Sequence, residues 1–215
     1  MPAGDPHFTG FDGQHYDVMG EPGKLFNIIS TPHFQCNCRF TALDNGSTII
    51  DQCGLKLPGT GIFFDLAMEG SRQAVWLNHG RVLWSESFPT GLFDHKGRPL
   101  SGGIQVLTGK SVVHTGDYVV EVCWCDDHGE PHPRFGPLES PHLDVYLYPS
   151  HADVDLPPVK PHGLLGVTAR GPYTPTPGGL QGEGVLDVLE PGSTYRDYEV
   201  SSLWADDFQF NLYRG

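Results

Sequence analysis

Three places in this chain put reactive side chains close together. The first is Asp5-Pro6-His7. An aspartate carboxylate can attack the carbonyl carbon of its own peptide bond, forming a cyclic anhydride and expelling the next residue's nitrogen. Proline's tertiary amide is the most easily protonated peptide leaving group, and His7 is a candidate proton donor to it. That reaction needs a strained or well-oriented bond. The preferred reading of the same residues is structural, with Pro6 starting a strand and Asp5 accepting hydrogen bonds from backbone amides. The second place is Cys123-Trp124-Cys125-Asp126-Asp127-His128-Gly129-Glu130-Pro131-His132. Cys123, Cys125, His128 and His132 are candidate ligands for a tetrahedral zinc, although C-x-C is tighter than the spacing of ordinary zinc knuckles. The third is Cys36, Cys38 and Cys53.

Within a strand, residues two apart share a face, so Cys36 and Cys38 face together, as do Cys123 and Cys125. Disulfides between the strand carrying Cys123 and Cys125 and strands carrying Cys36, Cys38 or Cys53 are the favoured arrangement in an oxidising compartment. Zinc and buried free thiols are the alternatives. Five cysteines cannot all pair within one chain.

Other motifs carry less chemistry. Asn45-Gly46-Ser47 is an acceptor sequon for N-glycosylation, and the same Asn-Gly pair also makes a tight hairpin turn. Gly109-Lys110-Ser111 looks like the end of a phosphate loop, yet Ile104 stands where that motif needs its first glycine. No G-x-S-x-G or H-E-x-x-H occurs. The eleven histidines fall mostly in Pro- and Gly-containing stretches, where solvated side chains are the default. Trp76 and Trp84, flanking a turn at Asn78-His79-Gly80, are candidates for an aromatic sugar platform, with core packing as the simpler alternative.

The elements that must position these residues are strands. Alternation and β-branched or aromatic runs predict strands over residues 24–30, 34–42, 48–57, 62–68, 74–77, 81–84, 104–107, 111–114, 118–125 and 143–148. In residues 34–42 the alternation puts Phe34, Cys36, Cys38 and Phe40 on one face and Gln35, Asn37 and Arg39 on the other, which reads as a half-buried strand. Residues 89–102, 126–141, 149–161 and 171–184 are rich in Pro, Gly and polar residues and read as loops. The alternating Phe208, Phe210 and Leu212 predict a closing strand at the end.

Such short, closely spaced strands predict an all-β fold, an antiparallel sandwich or barrel with long Pro/Gly loops and little helix. With 28 Gly and 19 Pro in 215 residues, the composition agrees. Thirteen Lys and Arg against 26 Asp and Glu give a net charge of −13. That excludes nucleic acid, which is bound by a basic face, and disfavours an anionic membrane surface. No run of apolar residues is long enough for a membrane span. Met1-Pro2-Ala3 leads into the first motif without an apolar leader, so the chain is expected to be a mature or excised part of a larger multidomain protein.

The opening run Gly4-Asp5-Pro6-His7-Phe8 through Phe11-Asp12-Gly13 to Tyr16-Asp17 resembles the start of a von Willebrand factor type D domain, an extracellular β-rich module of mucins, clotting proteins and tectorins. Gly163-Leu164-Leu165-Gly166 resembles the G-L-x-G segment near the end of that module, and Asp206-Asp207-Phe208 its terminal D-D-F. The tail, with Asp197-Tyr198-Glu199-Val200-Ser201-Ser202-Leu203-Trp204 and Phe208-Gln209-Phe210-Asn211, is similar to a divergent branch that includes plant root-cap-type secreted proteins. Landmarks at both ends imply one module over about residues 4–213 of a single domain, 1–215.

The resemblance implies an extracellular or cell-surface location and a non-enzymatic interaction or structural role in adhesion, matrix or surface-coat assembly. Its partner would be an extracellular protein or a glycan. It also implies two alternatives to be weighed. Some mucins cleave themselves at G-D-P-H, here Asp5-Pro6. In calcium-binding members the Asp of F-D-G is a ligand, here Asp12, with further oxygens from the loop after G-L-x-G. In this chain that loop, residues 167–173, has no carboxylate, so six to eight oxygens would need Asp17, Asp206 or Asp207. Calcium is thus the one cofactor expected, if any. Pro22, Gly23 and Leu165 stand in the neighbourhood of the module's usual cysteines, and disulfide-linked polymerisation is not expected.

Overall fold

The computed structural model describes residues 7–9, 15–18, 20–32, 34–43, 46, 48–57, 62–69, 72–77, 80–81, 87–89, 103–107, 110–114, 118–125, 142–149, 161–166, 194–209 and 211. Thirteen strands and one 3₁₀ turn, Tyr195–Tyr198, form among them, and no α-helix. The chain is all-β and antiparallel, as its alternation predicts.

The opening motif makes a two-stranded hairpin, β1 (His7–Thr9) with β2 (His15–Asp17), in which His7 lies directly across from Asp17. A six-stranded sheet follows in simple chain order: β3 (Leu25–Ser30), β4 (Gln35–Ala42), β5 (Thr48–Leu57), β6 (Ile62–Glu69), β7 (Arg72–Leu77) and β8 (Gly80–Arg81). The second sheet has five strands, β9 (Ser87–Pro89), β10 (Gly103–Leu107), β11 (Lys110–His114), β12 (Tyr118–Cys125) and β13 (His142–Pro149), again with sequence neighbours paired. In such meanders each strand pairs antiparallel with the one before it, the commonest arrangement of sequence neighbours in a sheet.

The two sheets share a core. Phe26, Phe34, Cys36, Cys38, Phe40 and Leu55 from the first sheet's region and Val120, Val122, Leu143, Val145 and Leu147 from the second belong to one contiguous buried cluster, to which Phe8 and Phe208 also contribute. Phe26, Phe34 and Phe40 are wholly buried, each contributing roughly 1.5–3 kcal/mol of apolar transfer. Strands β12 and β13 keep their alternation: Val120 and Val122 are buried between half-buried Val119, Glu121 and Cys123, and Leu143, Val145 and Leu147 are buried between Asp144, Tyr146 and Tyr148.

The sequence-based expectation for β4 needs correction. Cys36, Cys38 and Phe40 face the core as predicted, but Gln35 and Asn37 on the opposite face are buried as well, at 3% and 0% exposure. They are covered by the chain's last segment. Residues 201–209 run over them as turns and bends, Phe208 among them, while Phe210 and Leu212 of the expected closing strand lie outside the described residues. The reason lies in their bonding: these residues satisfy carbonyls on side chains of β4 instead of entering a ladder. Gly54 makes the approach possible. It sits across from Asn37, and a Cβ on it would lie 2.6 Å from both the Cβ and the carbonyl oxygen of Leu203.

Strand β3 lies at the edge of its sheet, and two distant segments close that edge. The Ser30 amide donates to the His162 carbonyl (2.7 Å) and the His162 amide to the Ser30 carbonyl (2.9 Å). The Leu164 and Leu165 amides donate to the Asn27 and Ile28 carbonyls at 2.9 and 2.8 Å. Further along, the Val200 amide donates to the Leu25 carbonyl at 2.9 Å, and Glu199 bridges Phe26. The 3₁₀ turn just before packs Tyr195 edge-on against Phe26 with ring centroids 5.7 Å apart. Exposed ion pairs flank it, Lys24–Glu199 at 2.5 Å and Arg196–Glu21 at 2.7 Å, and at such exposure solvent screens most of their attraction.

Gly163 has φ +104°, and a Cβ there would press on Asn27 Oδ1 and the Ile28 carbonyl. Gly23 has φ +78°, and a Cβ on it would meet nothing within 4 Å. Gly163→Ala therefore combines strain with a backbone clash, and urea unfolding should show a loss of about 3 kcal/mol. Gly23→Ala carries the strain alone and should lose about 1 kcal/mol.

Candidate functional site

The side chains with the most chemistry gather on β4 and β5. The register places Cys38 directly opposite Cys53, with Cα atoms 4.1 Å apart, and the two form a disulfide across the hairpin. The bridge closes a sequence separation of 15, worth roughly 3 kcal/mol through the entropy of the unfolded chain. Cys36, two residues earlier on the same face, is a buried free thiol whose sulfur lies 3.7 Å from that of Cys38. Burial pushes the Cys36 thiol far above its ordinary pKa, so it stays protonated. Among the described residues this trio is the only group of three or more His, Cys, Asp or Glu ligand atoms lying within 4.8 Å of one another.

Behind the trio, on the opposite face of β4, buried amides tie four segments together. Asn27 Nδ2 donates to Asn37 Oδ1 at 2.7 Å and also approaches the carbonyls of Ile29 and Cys36. Asn37 Nδ2 in turn donates to the carbonyls of Ala205 (2.8 Å), Leu203 (3.1 Å) and Ser202 (3.3 Å). Gln35 Nε2 donates to Ala205 as well. Asn27 Oδ1 abuts Gly163, so the chain of amides runs from the G-L-L-G segment through β3 and β4 to the tail. Buried polar groups cost free energy unless paired, so this network is a constraint on the fold as well as a contact within it.

The outer face of β12 and β13 carries a different set. Cys123 lies across from Asp144, and Cys125 occupies the position across from His142. The Cys123 thiol donates to Glu121 Oε1 at 3.1 Å, His142 Nε2 is 3.5 Å from Asp144 Oδ1, and the Tyr146 hydroxyl donates to Asp144 Oδ2 at 3.1 Å. The Tyr146 and Tyr148 rings lie within 10° of parallel with centroids 6.3 Å apart, and Tyr148 is 45% exposed.

These positions revise several sequence expectations. The favoured disulfides between the Cys123/Cys125 strand and the Cys36/Cys38/Cys53 strands do not form at Cys123, Cys38 or Cys53. Cys38 and Cys53 bond to each other, and Cys36 and Cys123 are in no disulfide. The physical reason is direction. Cys123 alternates with inward-facing Val122 and so points away from the core, whereas the trio lines it. Asp5, Pro6, Asp12, Asn45, Trp84, His128 and His132 lie outside the described residues, and Cys125, His7, Asp17 and Trp76 are placed as strand positions only. Of the candidate calcium ligands, Asp207 Oδ1 accepts the Ser201 amide at 3.1 Å and Asp206 Oδ2 is 3.9 Å from Lys56 Nζ. Residues the sequence did not single out are Asn27, Asn37 and Gln35, together with Glu121, Asp144, Tyr146 and Tyr148. Polar residues on a predicted outward face give no sign that a segment about 165 residues later will bury them.

Neither the family models nor the curated proteins contain a match to this chain.

Replacing Asn37 by Ala would remove the donor that reaches the Ser202, Leu203 and Ala205 carbonyls and the acceptor of the shortest hydrogen bond from the Asn27 amide. The expected loss is about 3 kcal/mol in urea unfolding. Trypsin should also cut the variant at Arg196 faster than the parent while the two sheets stay resistant, because the tail loses its anchor first.

Proposed function

We propose that the chain is a non-enzymatic, type D-like module of the extracellular space that binds a partner in adhesion, matrix or surface-coat assembly. The observation that carries this reading is the buried Cys38–Cys53 bond across adjacent strands of an all-β sandwich, a cross-link that persists in oxidising compartments. The acidic balance and the absence of a long apolar helix among the described residues are compatible with it. The segments that resemble the type D module also support it. His7–Asp17 supplies a hairpin, residues 161–166 close the β3 edge, and the tail covers β4. Their common use is to complete one β scaffold, which is how landmarks of a single module would behave.

The partner-binding surface in this reading is the outer face of β13. Exposed Tyr148, aligned with Tyr146 beside the Asp144 and Glu121 carboxylates, offers aromatic faces next to hydrogen-bond acceptors. That combination favours a glycan as the ligand class and gives the carbohydrate-binding alternative a second location besides Trp76 and Trp84. Self-cleavage at Asp5-Pro6 remains a separate reading with its own signature, a mass loss of Met1 to Asp5 at mildly acidic pH.

A glycan array probed with the secreted, disulfide-intact chain tests the glycan arm. The expected result is binding to a restricted set of saccharides that falls roughly tenfold or more in Tyr148→Ala. Uniform silence removes the glycan reading, and expression of a soluble chain with Cys38 and Cys53 reduced after secretion removes the extracellular one.

A further inference from the structure

The disulfide uses two of the three sulfurs in the β4–β5 cluster and leaves the third in contact with them. A buried cysteine commonly serves as a small apolar filler. Here, however, Cys36 Sγ sits 3.7 Å from Cys38 Sγ, and all three sulfurs lie within 4.8 Å of one another with every one of the three residues at 0% exposure. Three soft donors thus converge on one point from two hydrogen-bonded strands, and the sheet register fixes their spacing.

The surroundings decide which ion such a set suits. The cross-strand neighbours of the three cysteines, apart from one another, are Phe26, Ile29, Leu55 and Leu66, none of which has a ligand atom. Zinc would need a fourth donor to complete its tetrahedron, and hard cations need oxygen. Cu(I) is soft, is selected by thiolate ligands, and accepts trigonal sulfur coordination.

We propose that, when the Cys38–Cys53 bond is reduced, Cys36, Cys38 and Cys53 form a buried three-sulfur site for one Cu(I) ion. The bond opens with a phosphine or thiol reductant. With a phosphine, the S–S bond breaks, both sulfurs gain a proton to become thiols, and the phosphine is oxidised to its oxide with oxygen from water. Cu(I) then enters without changing oxidation state. Copper–sulfur bonds form, and each thiol that becomes a copper ligand releases its proton to solvent. Oxidation of the pair to the disulfide closes the site, so the compartment's redox poise determines whether it exists. The site is independent of the binding face on β13.

The test uses the full chain carrying Cys123→Ser and Cys125→Ser, which removes the thiols outside the cluster. The chain is reduced with a phosphine under anaerobic conditions and titrated with Cu(I) against a colorimetric Cu(I) chelator, while far-UV circular dichroism monitors the fold. The expected result is one Cu(I) per folded reduced chain, with an ultraviolet copper–thiolate band. The disulfide-intact chain should compete roughly tenfold or more less well, and so should Cys36→Ala, which keeps the core filled with an apolar group. Equal copper retention by the oxidised and reduced chains would overturn the proposal. So would unchanged affinity in Cys36→Ala, or loss of the β signal on reduction that copper does not restore.

Discussion

Strand β3 has a strand partner on one side only, and the backbone groups on its other side must be satisfied in the interior. An open edge invites pairing with other chains, and a buried edge with unpaired amides is expensive. This protein meets both demands by bringing two segments from far along the sequence to the same strand. Residues 162–165 bond to Asn27, Ile28 and Ser30, and Glu199 and Val200 take over at Phe26 and Leu25. The tail then turns across β4, where Asn37 and Gln35 collect its carbonyls. The first and last thirds of the described chain are thereby held to one sheet: residues 162–165 and 199–200 cover the β3 edge, and the tail beyond them covers the β4 amides.

The same arrangement separates the chemistry of the protein into an inner and an outer compartment. Strand alternation sends the three sulfurs of β4 and β5 into the shared core and sends Glu121, Cys123, Asp144 and the two tyrosines outward on the other sheet. The inner set is dry, so its thiol is held protonated and its reactivity depends on redox state. The outer set is reachable by a ligand. Cys36 and Cys38 therefore differ in surroundings from Cys123, although each belongs to a C-x-C in a strand, because they fall on the inward face of their strand and Cys123 on the outward face of its own.

Much of the strand layout was legible from local pattern. Alternating Val, Tyr and Cys in β12, and the Asn-Gly turn between β4 and β5, give elements whose limits match prediction closely because short-range sterics decide them. The tail was read as a strand from Phe208, Phe210 and Leu212, and it is not one over the described residues. Its course follows from Gly54, which leaves space for Leu203, and from Asn37, which offers donors. Both lie about 150 residues or more before the tail and carry no local signal of it. The cysteine pairing was likewise out of reach, since spacing fixes which residues share a face of a strand but not which sheet that face adjoins. Gly163 in G-L-L-G was visible as part of a motif, but its need for a left-handed backbone against Asn27 appears only in three dimensions.

Amide hydrogen exchange in the native protein tests the closure of the β3 edge most directly. If the distant segments are integral to the sheet, the amides of His162, Leu164, Leu165 and Val200 will exchange as slowly as the amides within β3 and β4, since all must wait for the same cooperative opening. Exchange of those four amides at the rate of exposed loops, while β3 and β4 remain protected, would contradict the account.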